Sequence, residues 1–290
     1  MRQTLLSLFF IILFNNLQAQ EIIEQFLGID QFPDKFIIAN KIVRRESYEY
    51  RLNRKGIADS TYIGAVNFNY NKEGQLTDQV HFDNENFLDK KNVYTYYDFG
   101  LINKKVEYFY SKNKFYRKGF NLIHEYTYDT VGRLENHVNY NTDTLFVNKE
   151  KREYDAIGRL YRITKTTGNQ LPYVANMARY NDENKLETID YFYKKDTPDY
   201  SFNMQTDSTA NGDKIINISK LKPRQEEEYW CTYKFNWYNQ CVEIIGFETV
   251  GFQKTQYTDK LIYNTDGTLY TSIFYVNKKM EKMYRYYYHK

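Results

Sequence analysis

From Thr61 to the C-terminus, apolar and polar positions alternate with period two, and turn-forming clusters interrupt the alternation at regular intervals. In one stretch Phe68, Tyr70, Leu76, Asp78, Val80 and Phe82 fall on one side, and Asn67, Asn69, Asn71, Gln75, Thr77, Gln79 and His81 on the other. That is the pattern of antiparallel strands with one face covered and one wet, not a helical period. The interruptions share a form. Tyr128-Asp129-Thr130-Val131-Gly132-Arg133-Leu134 returns as Tyr154-Asp155-Ala156-Ile157-Gly158-Arg159-Leu160, and looser copies place the glycine-equivalent residue at 74, 100, 184, 212, 239 and 267. Most steps are about 26 to 28 residues, the mark of a repeated structural unit.

Each motif position has a mechanical reason. Asp or Asn opens a type I turn by accepting hydrogen bonds from the backbone just ahead. The fourth position needs a positive φ, hence Gly, or Asn at 184 and 239. Together they predict three-residue hairpin loops with a bulge. Asp129, Gly132, Arg133, Asp155, Gly158 and Arg159 are therefore read as turn residues.

Carrying that register past the turn puts the fourth residue after each glycine position on the more apolar face. It is polar in every clear copy: Asp78, Lys104, Asn136, Arg162, Thr188, Glu243 and Thr271. The residues expected opposite are Phe68, Tyr94, Tyr126, Arg152, Ala178, Tyr233 and Leu261. Hairpins stacked in order would make a stripe with a step of roughly 10 Å. Rings beside polar groups suit sugars, so Asp78, Tyr94, Lys104, Tyr126, Asn136, Arg162, Tyr233 and Glu243 are the candidate ligand-binding residues. The plainer reading is an incompletely covered face on which long side chains snorkel to water.

Tyr-Asp-x-x-Gly-Arg-Leu resembles the signature of the YD, or RHS, repeat family of exported bacterial proteins. The resemblance covers roughly Thr61 onward. It implies an all-β fold in which serial antiparallel β-hairpins form a long, twisted and curled meander sheet. In that family large shells enclose toxin payloads, and smaller versions are regarded as carbohydrate- or surface-binding modules. The period here is longer than the usual unit, and no toxin segment is recognised. The resemblance therefore extends to the repeat and not to payload delivery.

Arg2, the apolar run Leu5 to Phe14 and the following Asn15 to Gln20 read as a signal peptide over residues 1–20, too short to span a membrane. Residues 21–60 read as an N-terminal cap with a helix at Glu21 to Leu27 and strands at Phe36-Ile37-Ile38 and Ser47 to Tyr50. Residues 61–290 form the hairpin array, with a long loop or a break at 194–213. The expected location is exported: periplasmic, cell-surface or extracellular.

A mean hydropathy of −0.75 with 27% charged residues fits a soluble chain with no membrane span in its mature part. A net charge of +3 over 290 residues makes no case for nucleic acid. An outer-membrane barrel is disfavoured because Asp78, Lys104, Arg162 and Glu243 interrupt the more apolar face. Cys231 and Cys241 share a face four positions apart, ~13 Å at the strand rise, and are expected to remain free thiols. The histidines at 81, 124, 137 and 289 read as scattered spectators. No catalytic set, cofactor motif or metal-ligand spacing stands out, so a non-enzyme is expected. Two functions remain: binding an extracellular glycan or surface polymer, or a structural or protein-partner role in the envelope through sheet edges near Tyr284 to Tyr288.

Overall fold

The computed structural model describes residues 34–53, 57–110, 121–141, 145–194, 196–209, 212–221, 228–250 and 253–290. The proposed signal peptide and the expected helix at Glu21 to Leu27 lie outside them. A short helix, α1 (Asp34–Ala39), precedes the first strand. Phe36-Ile37-Ile38, expected to be extended, lies in this helix.

The strands follow in chain order. They are β1 (Arg44–Leu52), β2 (Ala58–Tyr70), β3 (Leu76–Asp83), β4 (Leu88–Tyr96), β5 (Ile102–Phe109) and β6 (Asn121–Tyr128). Next come β7 (Leu134–Asn141), β8 (Phe146–Tyr154), β9 (Leu160–Thr167), β10 (Tyr173–Tyr180), β11 (Leu186–Tyr191) and β12 (Tyr200–Ser208). The last are β13 (Lys214–Leu221), β14 (Glu228–Phe235), β15 (Cys241–Val250), β16 (Gln253–Tyr263), β17 (Leu269–Val276) and β18 (Lys279–His289). Strand β12 occupies the stretch expected to be a loop or break.

Each strand pairs antiparallel with its neighbours in sequence, and β1 also pairs with β18, Ser47 opposite Tyr286. The wall is thus a closed 18-stranded barrel. This corrects the expected open, curled meander. The cap segment supplies β1, which joins the two ends of the sheet instead of shielding one edge. Closure also removes the free edges on which the protein-partner reading relied, since Tyr284 to Tyr288 pair with β1, and Tyr284 and Arg285 also with β17.

The eight repeat turns lie at one end of the barrel. At Asp129 the backbone N–H donates to the Arg133 carbonyl at 2.9 Å, and the Gly132 N–H donates to the Asp129 carbonyl at 3.0 Å. The Asp129 carboxylate accepts from the backbone N–H of Val131 and Arg133, and Arg133 Nε donates to its other oxygen at 2.6 Å. Gly132 has φ +83°, and Asn184 and Asn239 take the same left-handed conformation at φ 63° and 58°. The weak copy around Gly212 makes the same turn.

The motif tyrosine and leucine belong to a second device. In seven of the eight repeat hairpins the register shifts by one just beyond the turn, a β-bulge between the Tyr and the residue before it. The carbonyl of the motif leucine, just before the extra residue, then accepts the hydroxyl of the next unit's tyrosine. Tyr154 Oη donates to the Leu134 carbonyl at 2.8 Å, Tyr180 Oη to Leu160 at 2.7 Å and Tyr128 Oη to Ile102 at 2.9 Å. The Arg133 guanidinium stacks on the Tyr154 ring and that of Arg159 on Tyr180. Each unit thereby clamps its predecessor. Tyr154→Phe is expected to lower unfolding free energy by ~1 kcal/mol, read by urea denaturation; no change would mean that water replaces the hydroxyl without loss.

Following direct partners round the ring returns to β1 about 18 residues along, as many as there are strands. An equal ratio gives strands tilted by about 36°, and a circular wall on the order of 30 Å across. The interior is not an open pipe along its whole circumference. Ile189, Phe202, Ile218 and Tyr233 have 0% exposure. They share one face of the wall, and only the concave face of a closed sheet can enclose them. Met177, Ile262 and Tyr287, on the opposite face, are exposed.

Candidate functional site

The bulges decide which residues face inward. The expected register put Phe68 opposite Asp78, but Asp78 pairs with Asn69, and Phe68 pairs with Gln79. The extra residue in each bulge reverses the alternation beyond it, so the expected stripe is divided between two faces. Asp78, Lys104, Asn136, Arg162 and Glu243 are on the outer wall, as are Thr188 and Thr271. Tyr94, Tyr126 and Tyr233 are on the inner wall, beside Lys105, His137 and Ile244. Polar groups and rings of the stripe therefore do not meet.

The outer stripe residues are engaged with cross-strand neighbours. Asn69 Nδ2 donates to Asp78 at 2.8 Å, Asn136 Nδ2 to Thr127 Oγ1 at 3.0 Å, and Lys234 Nζ to Glu243 at 2.6 Å. Arg162 lies 3.4 Å from Glu153 and Lys104 3.8 Å from Glu125. Such exposed ladders contribute ~0.2–1 kcal/mol a pair and need no ligand to explain them. Arg162 also borders an open outer cleft of about 790 Å³, with Tyr173, Met177 and Phe192.

The inner wall has two unlike halves. From β10 to β17 it is apolar: Ile189, Phe202, Met204, Ile216, Ile218, Tyr233, Ile244 and Leu261 form a continuous buried cluster. Cys231 and Cys241 are buried in it as free thiols. From β3 to β9 the equivalent positions are polar except at Ile163. The fifth and seventh residues after the turn glycine are Gln79 and His81, Lys105 and Glu107, His137 and Asn139, then Ile163 and Lys165. In later units the same places hold Ile189 and Tyr191, or Ile244 and Gly246.

On this polar half the side chains form one network. Glu107 accepts from Lys90 at 2.8 Å, from Lys105, and lies 3.3 Å from His124. His124 Nδ1 and His137 Nε2 are 3.0 Å apart, with the rings stacked, and His137 also stacks on Tyr126 at 4.7 Å. Lys165 pairs with Glu150 at 2.8 Å. Asn92 donates to Gln79, and Asn139 to Asn148. Two of the four histidines, His124 and His137, thus meet across the β6–β7 hairpin, which a count of histidines could not show. Among the described residues no three His, Cys, Asp or Glu donors converge as a metal site.

Burial pushes the Glu107 carboxyl up, but the hydrogen bonds from His124, Lys105 and Lys90 together outweigh it and hold it well below the usual range. Burial lowers His137 to about 4, with His124, Arg152 and Lys105 adding to it against the pull of Glu150. Burial, then the Lys90 charge, lowers His81 as well. The wall at neutral pH therefore combines neutral His81 and His137 rings with fixed charges. His81 Nε2, Asn92 Oδ1 and Asn139 Oδ1 have no hydrogen-bond partner.

No protein-family model matches the chain, and no curated protein does. Solved structures do show likeness. A porin-like protein from Bacteroides uniformis aligns over 86% of this chain and 98% of its own, at 11% identity and a TM-score of 0.40. The TcdB2-TccC3-Cdc42 complex aligns over 81% of this chain, at 11% identity and a TM-score of 0.28. The Photorhabdus luminescens Tc holotoxin pore gives 0.30 at the same identity and coverage. This chain spans only 15% of each of those toxin chains. The architecture therefore rests on the strand pairing of this chain itself.

Proposed function

We propose that the chain is an exported, non-catalytic envelope protein whose barrel binds a hydroxyl-rich ligand, a segment of glycan or surface polymer, along the polar inner wall of β3–β9. One observation carries this reading. The fold fills the same inner positions with Ile and Tyr in its second half, so nothing in the architecture demands His81, Lys105, Glu107, His137 or Asn139 in the first. Unpartnered polar atoms there cost stability, on the order of 1–3 kcal/mol each when buried. A ligand that meets them is the reason to keep them. Tyr94 and Tyr126 on the same wall supply ring faces for sugar C–H groups, and neighbouring amides and charges supply directional bonds.

The outer wall does not suit a lipid-embedded pore. Its rows carry Asp78, Lys104, Glu125, Lys151, Arg162, Glu243 and Lys260, where a membrane barrel has an unbroken apolar band. Among the described residues no helix is long and apolar enough to cross a membrane.

The test is a glycan array with wild-type protein, His81→Leu and Arg162→Ala. His81→Leu should keep or raise thermal stability, because it removes an unpaired ring nitrogen, and should weaken binding at least tenfold. Arg162→Ala should bind as the wild type does. Loss of binding in Arg162→Ala alone would move the site to the outer cleft, and a blank from folded wild type would overturn the reading.

A further inference from the structure

We infer that the inner wall selects an acidic oligosaccharide, one bearing carboxylates or sulfates, over a neutral one. The inference rests on the binding role proposed above and specifies its ligand class. On the inner face of β4–β9 the charged residues are Lys90, Lys105, Arg152 and Lys165 against Glu107 and Glu150. Both carboxylates are already matched within the wall, Glu107 by two lysines and Glu150 by Lys165. Cationic charge is left in excess. The outer wall differs, since its lysines and arginines alternate with acids in cross-strand pairs.

The excess is placed where a ligand can use it. Lys90 and Lys165 keep 26% and 29% of their side-chain surface accessible, so solvent reaches this half of the interior. The facing half is sealed and apolar. A low-dielectric wall opposite a wet cationic one concentrates the field and attracts anions from solution. Hydroxyl recognition by Gln79, Asn92 and Asn139 and charge recognition by the lysines then act on one chain of sugars.

Titration calorimetry with hexagalacturonic acid and with a neutral hexasaccharide separates the outcomes. The expected result is binding of the acidic hexamer at least tenfold tighter than the neutral one at 50 mM salt, with the difference shrinking at 300 mM. Lys165→Gln and Lys90→Gln should each weaken the acidic hexamer roughly tenfold and leave the neutral one unchanged. Their circular dichroism melts establish that both variants fold. Equal affinity for the two hexamers would overturn the charge selection and leave the glycan-binding role standing. Binding of neither by folded protein would overturn both. Acidic binding that survives in both lysine variants would place the ligand away from this wall and defeat the inference.

Discussion

Excising residues 133–158, one whole unit, should cost the fold more than the single change Gly132→Val. In an open array of hairpins the order would be the reverse, because removing a unit merely shortens the sheet. Here the excision removes β7 and β8 from a closed ring. The remaining strands must adopt a new tilt and curvature, and β1 must find a new register on β18. Gly132→Val is local by comparison. An added Cβ would stand 3.6 Å from Leu101 Cδ1, an ordinary contact, so its cost is that of a β-branched residue at φ +83°. That strain is about 1–3 kcal/mol. Urea unfolding of both variants reads the difference: a lowered midpoint for Gly132→Val, and no cooperative transition for the excision. The opposite ranking would show that the wall reseals readily with two strands fewer.

Asp259→Asn should stabilise the protein at pH 8 by about 2 kcal/mol and do nothing at pH 3.5. Asp259 projects from β16 into the apolar half, between Ile244 and Phe274, with Tyr263, Tyr284 and Tyr286 nearby. Its Oδ1 has no hydrogen-bond partner, and burial raises the carboxyl from 3.8 to about 6. A raised acid binds its proton more tightly folded than unfolded. The penalty is therefore complete above pH 6 and disappears as pH falls below 3.8. Two units correspond to roughly 3 kcal/mol, reduced somewhat by partial exposure. His137 acts in the opposite sense. Held down at about 4, it contributes stability above its ordinary value of 6.5 that is lost as pH falls toward 4. The wild-type profile between pH 4 and 6 blends the two effects, so the comparison is made between wild type and Asp259→Asn at the two extremes. An unchanged free energy at pH 8 would mean that the carboxylate has found a counterion.

The turns were legible because their chemistry is local. Asp129 and Gly132 announce a left-handed turn to anyone reading five residues, and even the degraded copy at Gly212 forms it. The second bulge, in the strand beyond the turn, was not legible. Thr77, Asn103, Glu135 and Tyr161 look like any strand residues, yet their insertion moves Asp78, Lys104, Asn136 and Arg162 outward and brings Gln79, Lys105 and His137 inward. One residue per unit inverted the candidate site, because a strand has only two faces. The polar inner half carried a signal all the same: fifth and seventh residues after the turn, polar in the early units except at Ile163 and apolar at Ile189, Tyr191 and Ile244 in later ones. Closure had no local signal. It depends on Ser47 meeting Tyr286 across nearly the whole chain, and the pattern of β1 is equally that of an edge strand. His124 and His137 read as scattered because they meet only across a hairpin, 13 residues apart in sequence.

That same seam governs how the wall is assembled. Every pairing but β1 with β18 joins strands adjacent in sequence, so hairpins can form one after another, each in about 1–10 μs. The seam has no such shortcut. Its chain-closure entropy must be met in full before its first hydrogen bond gives anything back, and nothing nearby prepares it. Sealing is thus the slow event of folding, and the species that waits for it exposes the backbone of β1 and β18 to solvent. In a crowded compartment that waiting species, more than the finished barrel, is the one that adheres to its neighbours.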